Sequence, residues 1–237
     1  MAHLTRAALA LSATLLLPLC AAEKRAFAIE DLYRIKGISG LCLSPDGSKL
    51  LFQVSSQDLR ASKRSTNLWM LDLAAGKARQ LTFSAKADTA PAWSKDGRMI
   101  YFVSNREGGS QLWAMDAAGG EAHRLTSFGP GVETPALLPD GHSAVFAATV
   151  FPEAMADETR NKELADKLES GPVQAHLADT LLYRHWTGYR DFQFTHLFTV
   201  AFGGKTEALT SGPRDYPGYG QSFAVSPDGH EICVATN

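Results

Sequence analysis

The sequence is poor in cysteine, in net charge and in long apolar stretches, and each shortage excludes a class of protein. Only three of its 237 residues are cysteine. Beyond the first 22 residues only Cys42 and Cys233 remain, and these two could form at most one bridge, which excludes a disulfide scaffold. Since each lies in an apolar, strand-like run, we predict two buried free thiols. A net charge of −2, from 23 basic and 25 acidic residues, argues against nucleic acid or an anionic membrane surface as partner.

Motifs for metal, cofactor or catalytic chemistry are missing as well. The sequence contains no His-Glu-x-x-His, no clustered Cys/His set and no glycine loop that could cradle phosphate, so we expect no metal and no cofactor. A serine nucleophile elbow, Gly-x-Ser-x-Gly, is also absent. The nearest string, Gly220-Gln-Ser-Phe-Ala224, ends in alanine. We therefore predict no catalytic residue in this chain.

The first 22 residues have the pattern of a secretory signal peptide. A short basic start precedes the apolar run from Ala7 to Leu19, and small residues follow up to Ala22. The run is shorter than the ~20 residues that a membrane span requires. Cys20 leaves a lipoprotein alternative open, although Leu17 stands where a lipobox favours a small residue. An exported protein, periplasmic or extracellular and without a membrane span, is predicted.

A turn of the Ser-Pro-Asp-Gly type occurs four times. Its copies are Ser44-Pro-Asp-Gly47, Ser94-Lys-Asp-Gly97, Leu138-Pro-Asp-Gly141 and Ser226-Pro-Asp-Gly229. Proline presets φ, aspartate accepts hydrogen bonds from turn backbone, and glycine adopts the left-handed conformation. Each copy is followed by a run rich in β-branched and aromatic residues, so the motif predicts a hairpin between two strands.

A second marker repeats with the same period. Its copies are Asn67-Leu-Trp69 with Leu81-Thr82, Gln111-Leu-Trp113 with Leu125-Thr126, and His196-Leu-Phe198 with Leu209-Thr210. Trp69 and Trp113 are 44 residues apart, as are the glycines of the second and third turns. Together the markers predict four strands per repeat, which is the blade of a β-propeller. A plain β-meander or sandwich is the alternative, but neither requires a fixed period.

We therefore predict an all-β fold, a partial propeller of about three and a half blades within residues 23–237. The blades span about 40–83, 89–126, 134–210 and 223–237. The third carries an insertion, 151–191, whose Ala, Glu, Lys and Leu content favours helix. An incomplete fourth blade cannot close a ring. We expect either a longer native protein or a partner at the open blade edge.

These features resemble the amino-terminal propeller of the prolyl oligopeptidase family, in its dipeptidyl-peptidase and acylaminoacyl-peptidase branch. The most specific segment is Tyr183-Arg-His-Trp186 followed by His196-Leu-Phe198, and Leu209-Thr-Ser-Gly-Pro213 with Asp215 is also similar. The stretch 187–195 departs from the family's acidic, glycine-containing spacer. The resemblance implies a serine peptidase acting on short peptides, with its Ser-Asp-His triad in an α/β-hydrolase domain that this sequence does not contain.

The resemblance implies that the propeller gates access of peptides to that domain and that this chain alone is inactive. Substrate contacts are expected in or after the insertion. The candidates are an acid and three residues of the family-like segment: Glu153, Arg184, Trp186 and Tyr189. The partners implied are peptides, through the complete enzyme, and either the hydrolase domain or another protein at the open blade edge. The alternative is a non-catalytic periplasmic propeller that binds a protein partner, similar to Tol-associated propellers.

Overall fold

The computed structural model describes residues 25–172, 175, 176, 178, 184, 185, 188–218 and 221–236. The predicted signal peptide and the candidate Trp186 lie outside them. A short helix, α1 (Ile29–Leu32), precedes two four-stranded antiparallel sheets whose strands follow in chain order. Blade 1 consists of β1 (Gly37–Leu43), β2 (Lys49–Asp58), β3 (Lys63–Asp72) and β4 (Lys77–Gln80). Blade 2 consists of β5 (Asp88–Trp93), β6 (Met99–Ser104), β7 (Gln111–Asp116) and β8 (His123–Arg124).

Blade 3 has the same sheet but is interrupted between its second and third strands. Its first pair is β9 (Glu133–Leu137) and β10 (Ser143–Val150). The insertion contributes α2 (Glu158–Ser170), β11 (Arg184–His185) and β12 (Gly188–Tyr189) before β13 (Phe194–Ala201) and β14 (Thr206–Ala208) complete the sheet. Half-blade 4 is the pair β15 (Phe223–Val225) and β16 (Ile232–Val234). The predicted partial propeller with a helical insertion in its third blade is confirmed.

The repeated turns are held by the hydrogen bonds that their residues predict. In the first copy the Ser44 hydroxyl donates to Asp46 Oδ1 at 2.6 Å and accepts from the backbone N–H of Lys49 at 2.9 Å. The second and fourth copies repeat both bonds. Gly47 has φ of 70°, in the left-handed region that glycine tolerates. The third copy starts with Leu138, which has no hydroxyl, and Asp140 accepts from the backbone N–H groups of His142 and Ser143.

The Leu-Thr marker forms a clasp that ends each blade. The Thr126 hydroxyl accepts from the Leu112 backbone N–H at 2.9 Å and donates to Gln111 Oε1 at 2.8 Å. A hydroxyl thus takes the place of a ladder carbonyl, which satisfies a buried donor. The same two contacts recur in the other blades, from Thr82 to Leu68 and Asn67 and from Thr210 to Leu197 and His196.

The hydrophobic core lies between blades. One cluster joins blades 1 and 2 through residues such as Leu51, Leu68, Phe102 and Trp113. A second joins blades 2 and 3 through residues such as Tyr101, Leu112, Phe146 and Phe198. Successive side chains of a strand point to opposite faces, so the central strands of blade 2 contribute to both clusters, with Phe102 in the first and Tyr101 in the second.

The two cysteines are free, as predicted, but the prediction that both are buried is wrong. Cys42 is half-buried against the cluster between blades 1 and 2. Cys233 is exposed, and its neighbours on either side in β16, Ile232 and Val234, are half-buried. A strand-like run in the sequence indicates an alternating pattern but does not indicate which face another sheet will cover.

Candidate functional site

A cavity of about 440 Å³ opens on the face of blade 3 that points toward half-blade 4. Its floor is formed by Ala147 and Thr149 of β10 and Thr195 of β13. Strands β11 and β12 provide one wall, and residues 215–218 and 221, which precede half-blade 4, provide another. This volume lies within the range of about 300–1,000 Å³ that is usual for small-ligand sites. We call this cavity the blade 3 pocket.

A β-bulge in β9, the first strand of blade 3, brings residues of this strand to the pocket lining. The register of β9 against β10 shifts between Ala147 and Val145, and Thr134, at the bulge, has φ of 42°. Positive φ is unusual for a β-branched residue. Gly40 in β1 and Ala90 in β5 have φ of 60° and 50° at the corresponding shifts, so the bulge belongs to the repeat. In blade 3 it brings both Glu133 and Thr134 to the pocket lining.

Glu133 is the acid of this pocket that lacks a counter-charge. More than a third of the residue is accessible to solvent, yet the surrounding protein raises the pKa of its carboxyl above the ordinary value. Desolvation disfavours the charged form of a carboxyl, and a nearby cation would oppose that shift. Among the residues that the structure describes, no Lys, Arg or His nitrogen lies within ion-pair distance of it.

A second acid on the lining is already paired. Asp215 Oδ2 accepts from the Arg190 guanidinium at 2.5 Å, and Asp215 Oδ1 accepts from the backbone N–H of Thr195 at 2.8 Å. Arg190 also lies over the ring of Phe194, 5.0 Å from its centroid. These contacts fasten the segment after blade 3 to β13. The pair therefore shapes the pocket wall, and its charges largely cancel.

The hairpin wall carries a cation and aromatic rings. The Arg184 guanidinium lies 5.7 Å from the centroid of the Tyr189 ring, within cation–π range. His176 stacks on the same ring with centroids 3.6 Å apart, and its Nδ1 lies 2.7 Å from Asp191 Oδ1. The stack connects the insertion to the pocket rim.

The four candidates named from the sequence are placed differently. Arg184 and Tyr189 both line the blade 3 pocket. Glu153 is exposed in the turn after β10 and is not among the residues that line it. The fourth candidate, Trp186, is not described.

Glu133, Arg190 and Asp215 also line the pocket and were not among the candidates. A signal for Glu133 does exist in the sequence. Eight residues before the turn glycine, the first two repeats have Ser39 and Thr89, and the third has Glu133. A charged residue at a position that is uncharged in the other repeats indicates a local role.

His196, in the family-like segment, lies at the back of the same sheet. It is fully buried, and its Nδ1 lies 3.0 Å from the Thr210 hydroxyl. Burial lowers the pKa of the imidazole, against the opposing effects of the Gly212 carbonyl and the Asp215 charge. Nε2 meets no partner with hydrogen-bond geometry among the described residues. A buried ring with a lowered pKa fits a packing role in the clasp of blade 3.

The described residues lack the features of a metal site and of a membrane-spanning helix. They contain no group of three or more His, Cys, Asp and Glu side chains arranged to hold a metal ion. No helix in this part of the chain has the length and apolar character to cross a membrane.

Comparisons with known proteins identify the propeller. A family model described as the TolB beta propeller domain matches residues 29–180, more than half of the chain. Dipeptidyl-peptidase 5 of Porphyromonas endodontalis is 24% identical over 219 residues, which is 87% of this chain and 30% of that protein. Dipeptidyl-peptidase 5 of Porphyromonas gingivalis is 38% identical over 73 residues, which is 31% of this chain and 10% of that protein.

A solved structure shows the same fold. The uncomplexed acylaminoacyl peptidase of Pyrococcus horikoshii has a TM-score of 0.59 at 13% identity, covering 84% of this chain and 28% of that one. The chain thus spans less than a third of each of these relatives. The resemblance to the amino-terminal propeller of the prolyl oligopeptidase family is confirmed, and the chain belongs to the TolB beta propeller domain family.

Proposed function

We propose that this chain is the propeller portion of an exported serine peptidase of the dipeptidyl-peptidase or acylaminoacyl-peptidase type, and that it controls which short peptides reach the catalytic domain. Two relatives named dipeptidyl-peptidase 5 support the peptidase class. The observation that carries the substrate role is the uncompensated carboxyl of Glu133 in a pocket of ligand size. The catalytic serine of such an enzyme lies in a separate hydrolase domain.

The free amino terminus of a peptide is the ligand group that Glu133 suits best. An ammonium placed against the carboxylate makes a charge-assisted hydrogen bond, which is stronger than a neutral one. It also supplies the counter-charge that the protein lacks, so binding favours the ionised form of Glu133. Tyr189 and the Ala147 side chain provide apolar surface for the residues that follow the terminus. The pocket therefore provides the means to select peptides with an unblocked amino end.

Two measurements test this proposal. The chain alone should release no p-nitroaniline from dipeptidyl or N-acyl-aminoacyl p-nitroanilides, because it contributes binding and no nucleophile. Isothermal titration should detect saturable binding of short peptides, weakened about ten- to hundredfold by Glu133→Gln, as expected for the loss of a hydrogen bond to a charged group. Glu153→Gln, an exposed acid away from the pocket, is the matched control. Hydrolysis by the chain alone, or equal weakening by both variants, would contradict the proposal.

Export is part of the proposal and has its own test. The apolar leader of residues 7–19 supports it. When the chain is produced with its leader in a bacterial host, the periplasmic fraction should contain a protein whose amino-terminal sequence starts near residue 23. Retention of the whole chain, with its leader, in the cytoplasm would contradict export.

One observation favours a second candidate, a non-catalytic propeller that binds a protein partner. In blade 1 the apolar side chains of Ile38, Leu41 and Leu43 are 65%, 67% and 55% exposed, and exposed apolar patches often mark protein interfaces. The peptide titration separates the candidates. A partner-binding module predicts no saturable peptide binding and no effect of Glu133→Gln, whereas the peptidase propeller predicts both.

A further inference from the structure

A second cavity, of about 440 Å³, lies directly beside the blade 3 pocket. We call it the α2 cavity, because one face of that helix forms a wall of it, with the spacing i, i+3, i+4, i+7: Glu158, Asn161, Lys162 and Ala165. Thr149 and Gln193 line both cavities. A ligand too long for the blade 3 pocket therefore meets the α2 cavity at these two residues.

Helix α2 is fixed against the blades. The Asn161 side chain is buried, its Oδ1 accepts from the Phe151 backbone N–H at 3.0 Å, and its Nδ2 donates to the Met155 carbonyl at 2.8 Å. Glu158 Oε2 accepts from the Gly129 backbone N–H at 2.7 Å, which joins the helix to the loop between β8 and β9. The wall of the α2 cavity is thus preformed, and a preformed site avoids the cost of ordering on binding.

The charged side chains of the α2 cavity already have partners. Lys162 Nζ donates to Asp166 at 2.5 Å, and the Glu158 carboxylate accepts the bond from Gly129. The blade 3 pocket differs, because no Lys, Arg or His nitrogen of the described residues lies within ion-pair distance of Glu133. The blade 3 pocket therefore suits a charged end of a ligand, and the α2 cavity suits an uncharged part of it.

Gln193 lies where the two cavities meet, and its amide is free. The side chain is half-buried, and within the described part of the chain its amide has no hydrogen-bond partner. A glutamine amide offers two N–H donors and one carbonyl acceptor, and a peptide unit presents one donor and one acceptor. Gln193 can therefore bind the backbone of a peptide whatever its side chains are.

The chain adopts an unusual backbone conformation just before Gln193. The two preceding residues, Asp191 and Phe192, have φ of 49° and 64°, and the Gln193 backbone N–H donates to the Arg190 carbonyl at 2.9 Å. Positive φ is uncommon in residues other than glycine and persists where the surrounding structure enforces it. Here the Arg190 guanidinium donates to Asp215 at 2.5 Å, which ties the turn to the segment after blade 3. The position of Gln193 is therefore specified by the fold.

We propose that the α2 cavity binds the continuation of a peptide whose amino terminus lies at Glu133, with Gln193 holding the peptide backbone between the two cavities. This inference rests on the proposed function, which makes a peptide the ligand, and it adds a second binding region supplied by the insertion. Affinity then grows with peptide length until the α2 cavity is filled. Because Gln193 binds backbone, the gain does not require particular side chains in the peptide.

Isothermal titration with alanine peptides of two and six residues tests the inference on the chain itself. Both peptides have a free amino end and an amidated carboxyl end, so that only their length differs. On the unmodified chain the hexapeptide should bind about three- to tenfold more tightly, as expected for a net gain of one neutral hydrogen bond. Ala165→Trp fills the α2 cavity from a residue that does not line the blade 3 pocket. It should remove the gain with length and leave dipeptide binding unchanged.

Matched variants separate the cavity from its surroundings. Glu163→Trp adds the same bulk two positions away, on the opposite face of α2, and should leave both titrations unchanged. Gln193→Met keeps the length of the side chain but removes its hydrogen bonding, so it should also reduce the gain with length. Gln57→Met makes the same change at an exposed site on β2 and should have no effect. Dipeptide binding by each variant also shows that the blade 3 pocket is folded.

The outcomes distinguish this inference from the function on which it rests. If neither peptide binds, the proposed peptide-binding function fails, and the inference fails with it. If both peptides bind with equal affinity, or if Ala165→Trp weakens the dipeptide as much as the hexapeptide, the α2 cavity is not a peptide site while the proposed function stands. Equal weakening of both peptides by Gln193→Met would refute the role of Gln193 between the cavities.

Discussion

Replacement of Asp88 by alanine tests how blade 2 is stabilised against blade 1. Asp88 has no exposed surface, its Oδ1 accepts from the Ser104 hydroxyl at 2.6 Å, and its Oδ2 accepts from the Arg106 guanidinium at 2.9 Å. That guanidinium also lies 4.9 Å from the Trp113 ring and 5.3 Å from the Phe102 ring. The carboxylate therefore holds a cation over the aromatic core of the interface between blades.

The size of the effect follows from what the alanine variant leaves behind. Removal of one partner of a buried ion pair costs about 3–5 kcal/mol. The Arg106 side chain is 25% exposed and can turn to water, so we expect the lower end, about 3 kcal/mol. For a domain of this size that corresponds to a fall in Tm of about 6–12 °C.

Thermal unfolding followed by circular dichroism measures the change directly. Glu163→Gln is the control, since its partner Arg160 forms an exposed pair worth at most about 1 kcal/mol. The double variant with Arg106→Met should lose less than the sum of the two single variants, because each single change already breaks the same pair. Equal Tm values for Asp88→Ala and Glu163→Gln would refute the argument, and so would strict additivity in the double variant.

Three further predictions concern titrating groups. Ser44→Ala removes the largest influence that lowers the pKa of Asp46 to about 2, so carbon-13 NMR should show it rising toward the value of 3.8; a midpoint that stays near 2 would assign the shift to the backbone donors alone. His196→Gln should keep the clasp, because Gln111 makes the equivalent contact in blade 2. The pKa of His196 is lowered in the folded state, so the unfolded chain binds the proton first and the parent loses stability as the pH falls below 6.5, a loss that the variant should not show. Identical pH profiles of the urea midpoint for the two proteins would contradict this. Glu133→Gln should raise the urea midpoint at pH 7 but not at pH 4. The pKa of Glu133 is raised in the folded state, so the parent loses stability as the pH rises above the ordinary value of 4.5. A variant that is less stable than its parent at pH 7 would show that Glu133 has a partner.

The blade architecture could be predicted because its determinants are local and repeated. Each Ser-Pro-Asp-Gly turn contains most of its own hydrogen-bonding partners within about six residues, so the motif and the structure coincide. The Leu-Thr marker is different. It predicts the end of a blade, but the role of the Thr126 hydroxyl as a substitute ladder acceptor depends on a strand 14 residues away. The repeat indicates that the threonine matters without indicating its hydrogen bonds.

The pocket could be predicted only in part, because its charges come from separate segments. The family-like segment predicts Arg184 and Tyr189, which are close in sequence and face each other as partners on β11 and β12. The pair between Arg190 and Asp215 joins residues 25 positions apart through the course of the chain around β13 and β14. No local pattern specifies that pairing. Glu153, by contrast, was chosen for its position in the insertion, and the turn after β10 leaves it exposed.

Blade 3 departs from the repeat at the positions where the candidate site lies. At the bulge it has Glu133 where the other blades have Ser39 and Thr89, and in the clasp it has His196 where they have Asn67 and Gln111. Between its second and third strands it carries the insertion that brings Arg184 to the pocket. A scaffold built from equivalent sheets tolerates such changes because each blade keeps its own turns and its own clasp. Residues that all the repeats share therefore maintain the fold. Residues at which one repeat differs from the others are the first candidates for ligand binding.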